Sequence, residues 1–316
     1  MAFNLDLLAQ KVGLTPAQAE GLLVLFDQGI DNRQLSITTG LAKSILDDFR
    51  EGIKPYLLPS SEKTRFNSRG KQWLERFSPQ PFNWQRPFFG EIPKGLDNIF
   101  SQYKDRRQRV NRQLDQFRAI RETVWDRAAL MRERGDLKNR RLLFLGDADW
   151  TSLAVAYLAQ ARRIFVVDVD QGVIDNLKAI NQENNFRIEF LKHNLASPLP
   201  NHLLNNFDVV FSDPPYTLNG VYLFLSRSIE ALDKNPASKI YFCYGQSDRA
   251  RERTLKIQDL ISRLGLLIEE RRPRFNRYHG AVSIGSSSSL YINSITKKTE
   301  LGLIGYFKKP IYTWQK

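Results

Sequence analysis

The sequence predicts an α/β fold: a doubly wound, mainly parallel sheet preceded by a small helical domain. From residue 136 onward, short apolar runs alternate with helical segments, which is typical of buried parallel strands joined by helices. Before residue 60, apolar residues recur at helical spacing instead. Parallel strands are expected in "RRLLFLGDADW", where the strand ends in a polar turn, and in "RIFVVDVD", "FRIEFLKHN", "FDVVFSD" and "SKIYFCYG".

Three further runs near the C-terminus predict strands on an antiparallel edge of this sheet. They are "LGLLIEERRPRF", "SSSSLYINSI" and "LGLIGYFKK". The polar stretch "SIGSSSSLYI" admits two interpretations, a flexible lid or an edge strand with a polar face, and we favour the strand.

The predicted domains are 1–60, 61–135 and 136–316. The first is winged-helix-like, because a Thr-Thr-Gly turn ending at Gly40 separates two helical stretches. The second of these, "LAKSILDDFREG", is too acidic to suit a helix that reads a DNA groove. Residues 61–135 are a Pro- and aromatic-rich linker and then a long helix through "LDQFRAIRETVWDRAALMRER", and 136–316 form the catalytic domain.

Charge and composition limit the functional classes. The chain of 316 residues has a net charge of +13, and residues 104–141 hold 13 Lys and Arg against 6 Asp and Glu. Either a polyanion binds there or the arginines form a solvated helix face. Cys243 lies in an apolar strand and the three His are scattered, so no metal is expected. The absence of a signal-like or membrane-spanning apolar run predicts a cytoplasmic protein that does not bind membranes.

Polar residues follow four consecutive predicted strands. Ligands of an open α/β sheet bind beyond the carboxyl ends of its strands, so these positions are candidate site residues. They are Asp147 and Asp149, then Asp168 and Asp170, then Asn194, and then Asp213. Each alone also fits a helix cap or a strand end, and we expect Thr151 or Ser152 to cap the helix after the first strand.

The spacing of these residues indicates an adenosine-containing ligand. Asp168 follows Gly146 by 22 positions, close to the separation at which an acid accepts hydrogen bonds from ribose hydroxyls. Asn194 is placed to bind an adenine edge through its amide group. Gly146 and Asp170 belong to the same predicted ligand-binding edge.

The turn "GDADW" argues against a dinucleotide. It has one glycine and two carboxylates, whereas a pyrophosphate needs several backbone N–H groups and no nearby negative charge. The carboxylate of S-adenosylmethionine would also be repelled, since two like charges about 4 Å apart cost about 4 kcal/mol at an effective dielectric of about 20. Decarboxylated S-adenosylmethionine, which keeps the sulfonium and the amine, would be attracted.

The stretch "SDPPYT" resembles the motif of amino-methyltransferases. In that motif an acid or amide and a proline carbonyl accept hydrogen bonds from a target amine, and an aromatic ring stacks on it. Asp213, Pro214 and Tyr216 stand at these positions. The motif indicates alkylation of an amine without showing whether the amine belongs to a base or to an aliphatic chain.

Taken together, "LDQFRAIRETVWDRAALMRERGDLKNRRLLFLGDADWTSLAVAYL", "VVDVDQGVIDNL", "NLASPLP", "FDVVFSDPPYTLNGVYLFLSRSIEAL" and "SSSLY" resemble the branched-chain polyamine synthases, the N4-bis(aminopropyl)spermidine synthases. The resemblance covers about residues 110–295. It implies a Rossmann-like, class I methyltransferase-type sheet with a small winged-helix-like domain, and a homodimer. It also implies transfer of aminopropyl groups from decarboxylated S-adenosylmethionine to the secondary amine of spermidine, without a prosthetic group.

The family's acidic Gly-Asp-Asp-Asp turn supplies its base, and this chain has Ala148 in place of one acid. We expect Asp149 to be the base, Asp147 to bind the amino end of the co-substrate, Asp213 to hold the acceptor amine and Tyr216 to face the cation.

The net charge of +13 is a poor field for collecting polycations. Two other hypotheses therefore stay open. One is an S-adenosylmethionine-dependent amino-methyltransferase acting on nucleic acid, and the other is a nucleic-acid-binding protein with a degenerate catalytic domain.

Overall fold

The computed structural model describes residues 4–59, 63–84, 88–106, 111–245, 251–280 and 285–315. These residues form two compact units. The first contains the described residues up to 84 together with 277–280 and 285–287, and the second contains the remainder. Within the described residues, no helix is both long and apolar enough to span a bilayer.

The first unit is mainly helical. Its helices are α1 (Leu5–Val12), α2 (Pro16–Asp27), α3 (Asn32–Thr39), α4 (Lys43–Gly52) and α5 (Ser68–Phe77). As the Thr-Thr-Gly turn predicts, α3 ends at Gly40, whose φ of 70° lies in the left-handed region, and α4 follows. The unit continues past residue 60, because Phe66 and Leu74 share the core of the earlier helices. Its winged-helix character stays a prediction.

The second unit alternates strands with helices. Its helices are α6 (Lys94–Gln102), α7 (Arg121–Glu133), α8 (Thr151–Tyr157), α9 (Gln171–Glu183), α10 (Leu218–Ala231) and α11 (Arg251–Arg263). Its strands are β1 (Arg118–Ala119), β2 (Arg141–Leu145), β3 (Arg163–Asp168), β4 (Ile188–Lys192), β5 (Val209–Ser212) and β6 (Lys239–Gly245), with β7 (Leu266–His279) and β8 (Ser287–Ile295) extending to or across the boundary between the units.

The strands form one eight-stranded mixed sheet in the order β1-β7-β8-β6-β5-β2-β3-β4. The five central predicted strands, β2 to β6, pair in parallel, and β8 pairs antiparallel with β6. This confirms the doubly wound α/β prediction. The strand order reverses at β2, which lies between β3 and β5, and in such sheets a ligand-binding crevice forms at that point, beyond the carboxyl ends.

The central strands are buried because helices cover both faces, so they consist of continuous apolar runs. All four residues of β5 are buried, as are the last four of β2. Register places Leu145 of β2 opposite Ser212 of β5. The residues that follow, Gly146 and Asp213, therefore leave the sheet side by side.

The amino ends of the strands carry a partly buried ion-pair group, here called the amino-end cluster. Arg141, the first residue of β2, donates to both oxygens of Asp208 (2.8 and 3.1 Å) and to Asp233 (2.8 Å). These contacts join the amino ends of β2 and β5 to the end of α10.

Several sequence predictions are corrected. Residues 301–309, in "LGLIGYFKK", form no strand. The strand β8 lies between β6 and β7 and is not an edge strand, and residues 283–284 of "SIGSSSSLYI" fall outside the described residues. Helix α7 begins only at Arg121, because β1 occupies Arg118–Ala119. The predicted linker also contains helices, α5 and α6.

Candidate active site

The turn after β2 begins at Gly146. Its φ of 75° lies in the left-handed region, which glycine adopts without steric cost. Its N–H donates to the carbonyl of Val167 in β3 (2.8 Å), so the turn is fixed to the neighbouring strand. The two acids of the turn consequently have a defined position at the carboxyl edge of the sheet.

Asp147 is buried and binds the start of helix α8. Its carboxylate accepts the backbone N–H groups of Thr151 (2.8 Å) and Ser152 (3.1 Å), which have no partner within the helix. The prediction that Thr151 or Ser152 caps this helix is wrong, since the cap position is Trp150, whose side chain makes no capping bond. Burial raises the pKa of Asp147 to about 8, and the nearby Asp149 adds to the rise.

Asp149, the predicted base, is held on both oxygens. Oδ1 accepts the backbone N–H of Ala119 in β1 (2.7 Å), and Oδ2 accepts Nη1 of Arg127 in α7 (3.1 Å). Its side chain is 10% exposed. The structure thus places this carboxylate in a buried ion pair in the turn after β2.

Arg127 connects the turn after β2 with the loop after β5. Its Nη2 donates to Oδ2 of Asp213 (2.7 Å), so one guanidinium binds both acids. We call Arg127, Asp149 and Asp213 the carboxyl-end cluster. The Arg127 side chain is fully buried, and it is a site residue that sequence reasoning missed. The one signal for it is an arginine within a run of buried positions on α7, and that run becomes visible only in the folded structure.

Asp168 lies beside this turn at the end of β3. Its oxygens accept the backbone N–H groups of Asp147 (3.0 Å) and Asp170 (2.8 Å). Burial raises its pKa to about 6 despite these hydrogen bonds. Asp170 accepts the N–H of Gly172 (2.9 Å) and caps helix α9. The two acids therefore have different structural roles. Asp168 links the turn after β2 to the turn after β3, and Asp170 stabilises the start of helix α9.

Asn194 is exposed after β4. Its Oδ1 accepts the backbone N–H of Ala196 (3.0 Å), a local turn that fixes the side chain. The carbonyl of Ala196 accepts the N–H of Phe307 (2.8 Å). The predicted adenine-binding residue is thus part of a turn that also contacts the C-terminal region.

The loop after β5 brings aromatic rings to the cluster. Pro214 is buried and Tyr216 is half-buried. The Tyr216 ring stacks with Phe117 (centroids 6.5 Å apart, 12° between planes) and meets Tyr244 of β6 edge-on (6.0 Å). Thr217 then caps α10 by accepting the N–H of Gly220 (2.9 Å). A cation beside Asp213 would meet this aromatic group.

The last described residues, 301–315, cross the carboxyl edge of the sheet, and we call them the C-terminal strap. Arg227 donates to the carbonyl of Gly305 (2.7 Å), and Thr217 donates to the carbonyl of Ile311 (2.6 Å). Because the backbone hydrogen-bonds to these side chains and to Ala196, it has no partner strand and forms none. This is the physical reason for the incorrect strand prediction.

The strap also reaches the Asp168 side of the site. Asp115 accepts the N–H (2.7 Å) and the hydroxyl (2.5 Å) of Thr313. Burial raises the pKa of the neighbouring Tyr312 to about 12, and the nearby carboxyl groups of Asp168 and Asp115 add to the rise. Tyr312 and Asp115 are further residues of this edge that the sequence patterns did not indicate.

The arrangement suits a cationic amine. One guanidinium contacts two carboxylates, and Tyr216, whose ring packs against Tyr244, follows Asp213 in the same loop. Such a site can hold an ammonium group, accept its proton and stabilise a cation through ring faces. Within the described part of the chain, no group of three or more His, Cys, Asp or Glu is placed to hold a metal ion.

Comparison with known proteins identifies related chains. Residues 96–312 match the family model of the branched-chain polyamine synthase A C-terminal domain. An uncharacterised protein of Methanocaldococcus jannaschii is 40% identical over 309 residues, covering 92% of this chain and 77% of that protein. The N(4)-bis(aminopropyl)spermidine synthase of the same organism is 32% identical over 190 residues, covering 58% of this chain and 54% of the synthase. The match to this curated synthase thus spans about half of its length.

The fold is similar to a solved structure, the branched-chain polyamine synthase of Thermus thermophilus in complex with N4-aminopropylspermidine and 5′-methylthioadenosine. The TM-score is 0.69 at 20% identity, and the alignment covers 99% of this chain and 96% of that one. At this identity the likeness establishes the fold.

Proposed function

The chain belongs to the branched-chain polyamine synthase family, and we propose that it transfers aminopropyl groups from decarboxylated S-adenosylmethionine to the secondary amine of spermidine. The observation that carries the proposal is the carboxyl-end cluster with Tyr216 beside it, at the reversal point of the sheet. Family relatives named as N(4)-bis(aminopropyl)spermidine synthases support it, as does the polyamine bound in the Thermus thermophilus structure.

The cluster fits the chemistry of this transfer. A secondary amine is mostly protonated at neutral pH, because its pKa is near the lysine-like value of about 10. Asp149 takes the proton from the secondary ammonium group. The freed nitrogen lone pair then attacks the aminopropyl carbon that is bonded to the sulfonium sulfur. That carbon–sulfur bond breaks, its electrons go to sulfur, and neutral methylthioadenosine leaves. Holding the two reactants in line supplies much of the acceleration.

The remaining site residues are assigned by position. Asp213 and the Pro214 carbonyl hold the acceptor amine, and Tyr216 faces the cationic nitrogen. A second transfer to the tertiary amine gives a quaternary nitrogen, which has no N–H to donate. The aromatic ring is therefore more important for that product than for the first.

The co-substrate is assigned to the edge formed by β2, β3 and β4. Asp168 accepts hydrogen bonds from the ribose hydroxyls, and Asn194 binds the adenine edge. Gly146 and Asp147 shape the turn near the amino end of the co-substrate, and Asp170 orients the loop by capping α9. The 5′-methylthioadenosine of the Thermus thermophilus structure supports a co-substrate derived from S-adenosylmethionine.

The site has fewer negative charges to repel the carboxylate of S-adenosylmethionine than the sequence suggests. The preference for the decarboxylated form should therefore be weaker. Arg127 neutralises one negative charge of the carboxyl-end cluster. Asp147, with a pKa of about 8, is mostly protonated at neutral pH. The repulsion of a carboxylate therefore comes from the one net charge of the cluster and from Asp168, and we expect a moderate preference rather than complete exclusion of S-adenosylmethionine.

Several arginines of the basic region form ion pairs within the chain, which disfavours the nucleic-acid hypotheses. Arg121 binds Asp97 (3.0 Å), and Arg134 binds Glu270 (2.8 Å). Arg127 and Arg141 belong to the two clusters. A phosphate-gripping face needs cations that are available to solvent, and these four side chains are engaged with acids.

One comparison bears on which amine accepts the aminopropyl group. This chain is more similar to the uncharacterised Methanocaldococcus jannaschii protein than to the synthase of that organism, and it has Ala148 in the acidic turn. Assays should therefore include spermidine, N4-aminopropylspermidine, spermine and diamines. The homodimer and the cytoplasmic location stay predictions.

The test is a mass-spectrometric assay of the purified protein. One reaction contains decarboxylated S-adenosylmethionine with the amine panel, and a second contains S-adenosylmethionine with DNA and RNA. Stepwise aminopropyl additions to spermidine support the proposal, provided that Asp149→Asn removes them and Asp208→Asn retains them. Aminopropyl products from other amines alone would change the acceptor. Methylated nucleic acid without any aminopropyl product would replace the proposal with the methyltransferase hypothesis.

A further inference from the structure

The guanidinium of Arg127 is fixed by neutral groups as well as by the two acids. Its Nε donates to Oδ1 of Asn276 in β7 (2.7 Å), and Nη1 also donates to the hydroxyl of Thr151 (3.2 Å). Its carbon lies 5.1 Å from the ring centre of Phe211 in β5. Three secondary-structure elements therefore set the plane of this group, and the acids bind to a donor whose direction is predetermined.

Two carboxylates that share a buried site repel each other, and one of them then tends to stay protonated. A guanidinium between them removes this effect because it offers planar, parallel donors that stay charged over the whole working pH range. The three side chains of the carboxyl-end cluster together carry one net negative charge, which suits a singly charged ammonium group at the acceptor nitrogen.

We propose that Arg127 is a positioning residue that holds Asp149 and Asp213 as two ionised carboxylates, directed at one acceptor nitrogen. The inference rests on the proposed function for its link to the amine, whereas the ionisation of the two acids can be measured without it. Arg127 itself does not contact the reacting atoms in this assignment. It acts through the two carboxylates.

The other contacts that the structure gives for Arg127 are with neutral groups. Thr151 on α8, Asn276 on β7 and Phe211 on β5 are neutral. Asp147 lies in the same turn as Asp149, and burial raises its pKa to about 8, so it is mostly neutral at pH 7. Arg127 is thus the residue whose contact with both acids the structure describes.

The direct test is NMR titration of protein labelled with 13C at the aspartate carboxyl carbons. The two signals are assigned with Asp149→Asn and Asp213→Asn. In the unmodified protein we expect both acids to be ionised at neutral pH. In Arg127→Met we expect one of them to titrate at least about one pH unit higher, because the pair loses its cation. Unshifted titrations in a folded Arg127→Met protein would overturn the inference.

Kinetics test the positioning role separately. Arg127→Met should lower kcat/KM for the acceptor at least about a hundredfold. The pH below which kcat/KM falls should be higher than in the unmodified protein. The affinity for methylthioadenosine should change less than about threefold. Arg127→Lys keeps a charge without the planar fork, so the acidic limb should return to its original pH while kcat stays low. Arg127 would have a merely structural role if activity fell only in proportion to the fraction of folded protein and the acidic limb of the kcat/KM profile stayed at its original pH.

Arg141→Met is the matched control, since it removes the arginine of the amino-end cluster. It should leave the pH profile unchanged. If Arg127→Met does not fold, Asn276→Leu provides a second variant, because it frees Nε without removing a charge. We then expect kcat to fall about tenfold with the acidic limb unmoved, and an unchanged kcat would contradict the positioning role.

The two proposals fail in different ways. If the unmodified protein makes no aminopropyl product from any amine, the proposed function fails, and the NMR titrations still decide the ionisation of the pair. If it makes the product and Arg127→Met neither shifts a carboxyl titration nor changes the pH limb, the inference about Arg127 fails alone.

Discussion

The two ends of the sheet carry the same set of residues, one arginine and two aspartates. The amino-end cluster is centred on Arg141, and the carboxyl-end cluster on Arg127. The Arg141 side chain is 25% exposed and one of its acids, Asp233, is 44% exposed, whereas the Arg127 side chain is fully buried. The two clusters have the same composition. They differ in the burial of the arginine and in the end of the strands at which they lie.

This difference indicates what makes such a cluster a candidate site. At the amino end, the arginine joins strand starts to the end of a helix, and solvent screens its charges. At the carboxyl end, the acids follow the strands at the point where the strand order reverses, and little solvent screens them. We therefore expect the amino-end cluster to stabilise the fold and the carboxyl-end cluster to attract a cation.

The largest contrast is expected for the acids. Asp149→Asn should lower kcat for aminopropyl transfer by about 10²–10⁴-fold, because a positioned base is lost. Asp208→Asn, its counterpart at the amino end, should change kcat by less than about threefold. Steady-state product formation at saturating substrates measures both. Equal losses in the two variants would show that the acids act through stability rather than through chemistry.

The arginines should differ in stability as well. Arg127→Met removes the arginine that binds both carboxylates and should lower the free energy of unfolding by about 3–5 kcal/mol. Arg141→Met takes the arginine away from Asp208, which is 14% exposed, but the arginine itself is 25% exposed, so we expect a smaller cost of about 1–2 kcal/mol. Urea denaturation followed by circular dichroism gives both values. Similar losses would mean that the burial of the two clusters does not determine their energetics.

The aromatic group should affect the later product more than the earlier one. Tyr216→Leu removes a cation–ring interaction of about 1–2 kcal/mol, so we expect about a tenfold drop in acceptor kcat/KM. The ratio of quaternary to tertiary product should fall with it. Mass spectrometry of timed samples reports the ratio, and Phe77→Leu, at a ring of the first unit that is 40% exposed, serves as control. An unchanged ratio would remove Tyr216 from the second transfer.

Binding of methylthioadenosine should depend on pH through Asp168. Its carboxyl group is ionised above its pKa of about 6 and protonated below it, so affinity should fall as the pH decreases through about 6. A weakening of about tenfold corresponds to the loss of one charge-assisted hydrogen bond. Calorimetry between pH 5 and 8 measures it. Asp168→Asn should bind weakly with a flat profile, and a pH dependence that survives in this variant would point to another group.

The smallest effect is expected at the strap. Asp115→Asn weakens two hydrogen bonds to Thr313 that are partly solvated, so methylthioadenosine affinity should fall by about threefold. Asp259→Asn, in a surface pair with Arg263, is the control. A loss above about a hundredfold would mean that the strap is part of the binding site itself.

The parts of the candidate site that depend on local patterns could be proposed from the sequence. Apolar runs indicated the five parallel strands, and the rule that ligands bind beyond their carboxyl ends selected Asp149, Asp168 and Asp213. These residues lie near one another because parallel strands end at a common edge. Local spacing is sufficient for that conclusion.

The residues that were missed depend on contacts between distant segments. Arg127 meets Asp213 across 86 positions, and Thr313 meets Asp115 across 198. In the sequence Arg127 is one of many arginines on a basic stretch, and its burial follows only from packing. The strap resembled a strand because it is apolar, yet its hydrogen-bond partners are side chains and a loop. Periodicity cannot distinguish these cases.

The most direct test of the central claim is an experimental structure with methylthioadenosine and spermidine bound. We expect the adenosine beside Asp168 and Asn194, and the secondary nitrogen of spermidine within hydrogen-bond reach, about 2.6–3.2 Å, of Asp149 or Asp213. A polyamine bound elsewhere, with the carboxyl-end cluster contacting no amine, would contradict the assignment of the site.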